Sequence, residues 1–572
     1  MADVIINNFQ RGMSNDVRSD FVEMRNIDVY QRRGIANIAN RLRVSSQPKV
    51  SGFTFTADAA TDQLTFQVAH TLTEGSAVTV SSTVALPTPL APATIYFVIF
   101  VDSTRIKLAT TLANALAGTA IDLTDAGTGT HTLVTINMKK TFHFTQDPRT
   151  AVIYTVDTDG RVWMTNNNKW VLITGNTLTN TNANGICVWK DYLFVFRNAA
   201  IDVWGNLRTD PLAARTWTNA WKALNSTAGS NNPHHVIWSL SDDIMYWVDD
   251  RYVGSLLEVT TFDPAAAGTY TFTSQALDLP RQVVAQRIEE LGGNLLVLGT
   301  VGLNNYSTIF PWDRISATFF LPIKLNFVAD MTIVHNNLLY ILDLGSKKIW
   351  ASNGTNIVTK REIPEIISDN FVDSAIGAAM VFKGRLWFTI SATSNYSGVY
   401  SLDLDTNSLL LENKVSQNSY SDGFNLMYVT SLIPVNDIYY YVGWYNSSNT
   451  TGGVDSILGN DGSSYKYESY GAYFETALKQ VGTDMEPRTF EQIEILLSQP
   501  LGIAEGIKVY YRVNTSDSYT LIETIDQSNF GQYLRITVPF NGVACTHIQI
   551  KCEMNAAPNS SGSPGLLEIR LR

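Results

Sequence analysis

The chain has 572 residues, a length that suggests two to four domains, and its formal net charge of −11 is ill suited to wrapping nucleic-acid phosphates. Hydrophobic residues make up 45%, aromatic residues 11% and charged residues 16%, so large cores can form, yet the longest apolar run, Ile95–Val101, is far too short to span a bilayer as a helix. Asn, Thr, Ser and Gly are abundant and no sustained helical period stands out, so the predicted elements are strands and turns.

The opening, "MADVIINNFQRGMSND", lacks the apolar core of a secretory signal. Residues 1–48 are read as an N-terminal segment leading into the start of a β-propeller. Residues 49–136 break the pattern of the rest. They are rich in Ala and Thr, they alternate apolar and polar positions over short strands, and between Phe53 and Leu133 their basic residues are Arg105 and Lys107. This predicts a small inserted β-domain.

Residues 137–460 carry a repeat. The phrases "WKDYLFVF", "SDDIMYWV", "LGGNLLVLG", "HNNLLYIL", "FKGRLWFTI" and "VNDIYYYVG" align at Tyr192, Ile244, Leu295, Leu338, Leu386 and Ile438, at intervals of 52, 51, 43, 48 and 52 residues. A further member, "RTAVIYTV", begins at Ala151. Beyond each anchor, after a turn, comes a β-branched residue followed by an aromatic one, as in Val162-Trp163, Val203-Trp204, Ile349-Trp350 and Val399-Tyr400. A strand, a turn and a returning strand at this period predict the middle hairpin of a four-stranded propeller blade, because a twisted sheet covers its faces by stacking against its neighbours. The expected fold is all-β: a propeller of about seven blades, six or eight remaining open, with the inserted β-domain and a C-terminal β-sandwich. Trp163, Trp204, Trp350 and Trp387 are expected between adjacent sheets. The apolar run "LLYIL" is expected nearest the propeller axis. Neither a WD40 nor a kelch signature recurs.

Residues 461–572 alternate apolar and polar positions in "IKVYYRV", "YTLIETI" and "YLRITVPF" and are read as a jelly-roll-like β-sandwich. Cys187, Cys545 and Cys552 form no metal-ligand spacing. A bridge between Cys545 and Cys552 is conceivable, but buried free thiols are favoured.

Catalytic patterns are scarce. The chain contains no nucleophile elbow, phosphate-binding loop, dinucleotide fingerprint or zinc-protease helix motif. His234-His235 reads as a solvated loop before a strand rather than a metal site. "DLDTNS", 403–408, has the alternating oxygens of a calcium loop but lacks its glycine and distal glutamate, so a hairpin turn is favoured. The acidic pairs Asp242-Asp243, Asp249-Asp250 and Glu289-Glu290 are candidate glycosidase carboxylates, with solvated turns as the simpler reading. No catalytic, cofactor-binding or metal-binding residue is assigned, no cofactor is expected, and the chain is read as a non-enzyme.

The run from Gly75 to Leu133 contains "PLAPATIYFVI", "IKLATTLANALAG" and "GTGTHTL" in succession. It resembles a β-module inserted in structural proteins of tailed bacteriophages, and departs from it at Ala91-Pro92-Ala93, where a glycine turn is usual. The opening "INNFQRGMSNDVRSDFVEMRNIDVYQRRGIANIANRL" is similar in layout to the starts of phage tail and nozzle proteins. The resemblance implies a virion protein of the tail: a nozzle- or hub-type ring subunit forming part of the DNA-ejection conduit. Its implied partners are further copies of itself in a cyclic ring and adaptor, fibre or tip proteins, with DNA only in passage and no membrane span. The alternatives are a phage adhesin that binds host glycan through loop aromatics such as Tyr396, Trp444 and Tyr445, and a propeller glycoside hydrolase.

Overall fold

The computed structural model describes residues 4–7, 9, 13, 21–25, 27–28, 36–38, 43–46, 52–173, 183–226, 234–301, 306–364, 378–393, 397–416, 426–435, 438–446, 451–457, 472–483, 486–556 and 563–572. The chain divides into two compact units, one of residues 44–337 with 443–455, the other of 1–43, 338–442 and 456–572. Among the described residues helix is confined to short turns such as Leu112–Leu116, and the fold is all-β.

The first unit begins with a closed six-stranded barrel. Its order is Arg105–Ala109, Gln63–Phe66, Phe53–Asp58, His131–Thr135, Ala77–Ser82 and Tyr96–Asp102. The alternating pattern sends Phe55, Leu64, Phe66, Val78, Val98 and Leu133 into one core. Four antiparallel sheets of four strands follow. Each is a meander, for example Thr141–Gln146, Ile153–Asp157, Val162–Asn166 and Lys169–Leu172 in the first. The next three open on Ala183–Trp189, Val236–Trp238 and Val283–Leu291. These opening strands lie side by side in chain order, and Met331–His335 adjoins the last of them, so successive sheets stack face to face as propeller blades. Trp189, Phe194, Phe196 and Trp247 fill one space between sheets, and Tyr246, Val248, Val297 and Trp312 fill the next.

The apolar runs found in sequence are the second strands of these sheets. Tyr192–Arg197 and Met245–Asp249 each have a partner strand on both sides, and neighbouring sheets cover their faces. "LLYIL" likewise falls in Leu338–Asp343, the strand of the hairpin rather than an opening strand. The strands nearest the axis are the opening ones, and they are more polar. Trp163, Trp204 and Trp387 are buried, whereas Trp350 is half-buried, its indole N–H reaching Asp343 Oδ2 at 3.2 Å.

The second unit contains Leu338–Asp343, Lys348–Ser352 and Ile357–Glu362 in one antiparallel run. The sheet Ala379–Phe382, Arg385–Ile390, Gly398–Leu402 and Leu409–Lys414 follows, packing on Leu426–Pro434. It also contains the sandwich. One layer orders Val4–Ile6, Leu566–Leu571, Arg488–Leu497 and Arg535–Cys545. The other orders Phe21–Arg25, Ala472–Thr476, His547–Asn555, Gly506–Arg512 and Thr520–Asp526. The N-terminal segment, expected to lead into the propeller, adds strands to this sandwich and also meets a blade, where Arg25 pairs with Leu411 and the Met13 amide donates to Leu409 O. Val4–Ile6 and Phe21–Arg25 complete the C-terminal sandwich, and Phe9 and Phe21 close on Phe474 with ring centroids 5.3 to 5.6 Å apart. Burial of these three rings stabilises the placement of the segment. In the first unit, Ser45 and Ser46 donate their amides to Val454 O. Cys187, Cys545 and Cys552 are buried free thiols.

Candidate functional site at the inner strands

The opening strands of a propeller blade have neighbours on both sides, so a polar side chain there is partly shielded from bulk water: Arg287 is buried, and His143, His235 and Glu289 are half-buried. Four segments of the first unit bring such side chains together. Thr141–Gln146 supplies His143, and His235 comes from the residues just before Val236–Trp238. Val283–Leu291 supplies Arg287 and Glu289, and Met331–His335 supplies Thr332. A bulge between Ala285 and Arg287 resets the pleat, after which Arg287 and Glu289, two apart, share one face. Gly185 allows the close approach of the neighbouring segment: a Cβ at that position would stand 2.1 Å from His234 O.

The rings of His143 and His235 meet edge to face at 5.8 Å. His235 Nδ1 accepts from the amide of Ile288 at 3.3 Å, which puts the proton of the neutral ring on Nε2. Burial pushes the His143 imidazole down to about 3, with the Arg287 charge acting in the same direction. Burial and then Arg287 likewise hold His235 well below its ordinary value. Both rings are therefore neutral at physiological pH. Burial drives the Glu289 carboxyl up to about 7, against the opposing pull of Arg287 and of Thr332, whose hydroxyl donates to Glu289 Oε1 at 2.9 Å. Burial also lowers Arg287, while Glu289 and Asp330 favour its charge. The result is one guanidinium, two neutral imidazoles and a carboxyl poised to gain or lose a proton near neutrality. Among the described residues no group of three His, Cys, Asp or Glu side chains has metal-holding geometry.

His234-His235 is not a solvated loop. His234 is fully buried, its Nδ1 donating to Val248 O at 3.0 Å, and His235 joins the inner cluster. Glu289-Glu290 lies within a strand, and its members face different partners: Glu289 meets Thr332, and Glu290 accepts from Arg314 Nη2 at 2.8 Å. Asp249 is buried and accepts from the Ser226 amide at 3.0 Å, while Asp250 occupies a left-handed turn position at φ 57°. Asp242 accepts from Tyr246 Oη at 2.8 Å and from Arg314. Asp243 accepts from the Trp238 indole at 2.9 Å. These two aspartates brace loops. "DLDTNS" is a hairpin turn, with Asp403 Oδ1 accepting from the amides of Asp405 and Thr406. Among the proposed glycan-binding aromatics, Trp444 is buried and donates to Asp455 Oδ1 at 2.8 Å, and Tyr445 is half-buried. Tyr396 lies outside the described residues. Sequence reasoning did not single out His143 or Arg287. Their signal is a polar residue at an inward position of an opening strand, visible only once those strands are identified.

The sheets, the barrel and the sandwich define a β-propeller protein with two accessory β-domains. No family model and no curated protein matches the chain. Solved structures do. An exo-β-1,3-galactanase from Phanerochaete chrysosporium is 12% identical over 70% of this chain and 98% of its own, with a TM-score of 0.27. A virginiamycin B lyase from Staphylococcus aureus is 10% identical over 56% of this chain and 94% of its own, at 0.35. An extracellular domain of a hybrid two-component system from B. thetaiotaomicron is 12% identical over 94% of this chain and 74% of its own, at 0.37. At these TM-scores no argument about activity passes from those proteins to this one, and the fold assignment rests on the sheet order itself.

Proposed function

We propose that the protein is a structural subunit of a bacteriophage tail, of nozzle or hub type, which assembles as a ring around the DNA-ejection conduit. The observation that carries this reading is the inserted module. The three phrases resembling the phage module form consecutive parts of one closed barrel. "PLAPATIYFVI" runs into Tyr96–Asp102, and "IKLATTLANALAG" forms Arg105–Ala109 with the helix Leu112–Leu116. "GTGTHTL" leads into His131–Thr135. Gly127, at φ 67°, lies where a Cβ would stand 2.6 Å from Pro87 N, so the glycine of that phrase is required by the barrel rather than incidental to it. The acidic balance of the chain suits a wall that DNA passes without adhering. A map of intact particles tests the reading. A ring of copies within the tail is expected, and absence from the particle or a position on the capsid exterior overturns it.

One observation favours a second reading, a propeller that binds or hydrolyses a glycan at its inner strands: the Glu289 carboxyl, held near neutrality beside Arg287 and two imidazoles. Glycan-array binding that is lost in Glu289→Gln, with the fold retained, would promote this reading over the first.

A further inference from the structure

One end of the third and fourth sheets presents an apolar surface that the fold leaves uncovered. Leu240 lies in the turn before Met245–Asp249, and Val259 follows Tyr252–Glu258, which returns to the same end. Ile315, Phe320 and Leu321 lie in the loop between Tyr306–Trp312 and Ile323–Lys324. Ile315 is 92% exposed, Leu321 88% and Leu240 81%. Isolated apolar side chains on a surface need no explanation, but neighbouring ones exposed this far mark an interaction site.

The two loops are fastened to each other. Arg314, immediately before Ile315, donates to Ser239 Oγ at 3.3 Å and to Ser241 Oγ at 2.5 Å, on either side of Leu240. The same guanidinium binds Asp242 Oδ2 at 3.0 Å and Glu290 Oε1 at 2.8 Å. At the loop's far end, Phe320 N donates to Pro311 O at 2.7 Å and Phe319 packs edge to face on Phe310 at 4.8 Å. The patch is therefore preorganised and loses little freedom when it is covered.

Its rim is acidic. Asp242, Asp243, Glu258, Glu290 and Asp313 surround it, and the cations among them, Lys190 and Arg314, are already engaged: Lys190 with Asp243 and Glu258, Arg314 as above. Asp263 stands exposed nearby. A second copy presenting this same face would bring carboxylates against carboxylates, and an anionic lipid surface would meet the same repulsion.

We propose that the Leu240–Ile315–Leu321 surface docks a different protein chain, through a segment whose apolar side chains are flanked by lysine or arginine. The apolar groups fill the patch, and the flanking cations meet the carboxylates that Lys190 and Arg314 leave unneutralised.

The test uses the full chain and a synthetic peptide of alternating leucines and lysines as probe, with a leucine–glutamate peptide as counterpart and fluorescence anisotropy as readout. Binding of the leucine–lysine peptide is expected to weaken about tenfold or more in the Ile315→Asp/Leu321→Asp double variant. That variant carries two additional carboxylates, so attraction by charge alone would strengthen binding instead. Unchanged or tighter binding by the double variant overturns the proposal, as does equal binding of the leucine–glutamate peptide. Self-association abolished by the double variant, or its loss of binding to vesicles of phosphatidylglycerol, assigns the patch to another occupant and overturns it too. Leu240→Asp, on the other loop, gives an independent variant should the double variant fail to fold, and the same weakening is expected of it.

Discussion

The carboxylate of Asp157 ends the second strand of the first sheet, fully buried, and organises the turn that follows. Its Oδ1 accepts from the amides of Asp159 and Arg161, each at 3.0 Å, and its Oδ2 from the Trp163 indole at 2.9 Å and the Lys139 amide at 3.2 Å. Asp343 repeats the device, accepting from the Ser346 amide and the Trp350 indole. Removing the side chain strands several buried donors, so Asp157→Ala is expected to cost on the order of 3 kcal/mol in denaturant unfolding; a change within error would mean that water satisfies the turn. Two tryptophans offer a contrast. Trp387 is buried against Phe382 and Tyr440, with ring centroids 5.1 and 5.3 Å away, and its replacement by alanine is expected to cost about 3–5 kcal/mol. Half-buried Trp350 is expected to cost clearly less under the same change, and equal losses would contradict the burial described. Glu289 bears on pH. Its folded-state value, about 7, lies above the ordinary 4.5, so the folded chain holds this proton after the unfolded chain has released it. Stability from this group is present below about 4.5, falls as pH rises through the window, and levels off above about 7. His143 and His235 are shifted downward and contribute the opposite slope over a lower range, in wild type and variant alike. The stability of wild type relative to Glu289→Gln is therefore expected to decline between pH 5 and pH 8 in urea titrations (roughly the span of the shift), and a constant difference would refute the assignment.

At the scale of elements, the N-terminal strands carry more weight than their length suggests. Val4–Ile6 pairs with the last strand, Val4 opposite Leu571, and Phe21–Arg25 pairs with Ala472–Thr476. Deleting residues 1–28 would uncover the edges of Leu566–Leu571, Ala472–Thr476 and Leu409–Lys414 together with the Phe474 side of an aromatic cluster. Loss of soluble protein, or a large drop in the thermal midpoint, is expected. A truncated chain that unfolds at the wild-type midpoint would mean that these pairings do not support the sandwich. The blades illustrate a different economy. Their second strands are largely apolar, with a charged residue at the end, because partner strands and neighbouring sheets cover them, while the opening strands admit Arg287, Glu289 and His143, because residues from neighbouring opening strands supply their partners.

For the whole molecule, a net charge of −11 disfavours binding to nucleic-acid phosphates. In a gel shift at about 0.15 M salt, no retardation of duplex DNA is expected. Salt-sensitive retardation would count against the proposed role as a conduit wall. On the two proposals made above, one acidic surface charge would both keep DNA from adhering and favour a basic protein partner at the exposed apolar patch.

Much of this protein was legible in the sequence because it depends on local pattern. The interval between "WKDYLFVF" and its successors reports how many residues one four-stranded meander needs, and the alternation in "IKVYYRV" reports a half-covered sheet. Buried Trp163, Trp204 and Trp387 follow from the same pattern. What the tertiary structure alone decided are pairings between residues far apart in the chain. Nothing near Val4 announces Leu571, and nothing in "HH" at 234–235 announces His143 as a neighbour. Likewise "VAQRIEEL" reads as a strand of ordinary polarity, and a bulge between Ala285 and Arg287, invisible in the sequence, sets the register of Arg287 and Glu289. Local sequence sets the strand, the turn and the alternation, whereas the chemistry of the inner cluster arises from bringing separate opening strands together, where burial shifts each proton equilibrium according to neighbours that no local window contains.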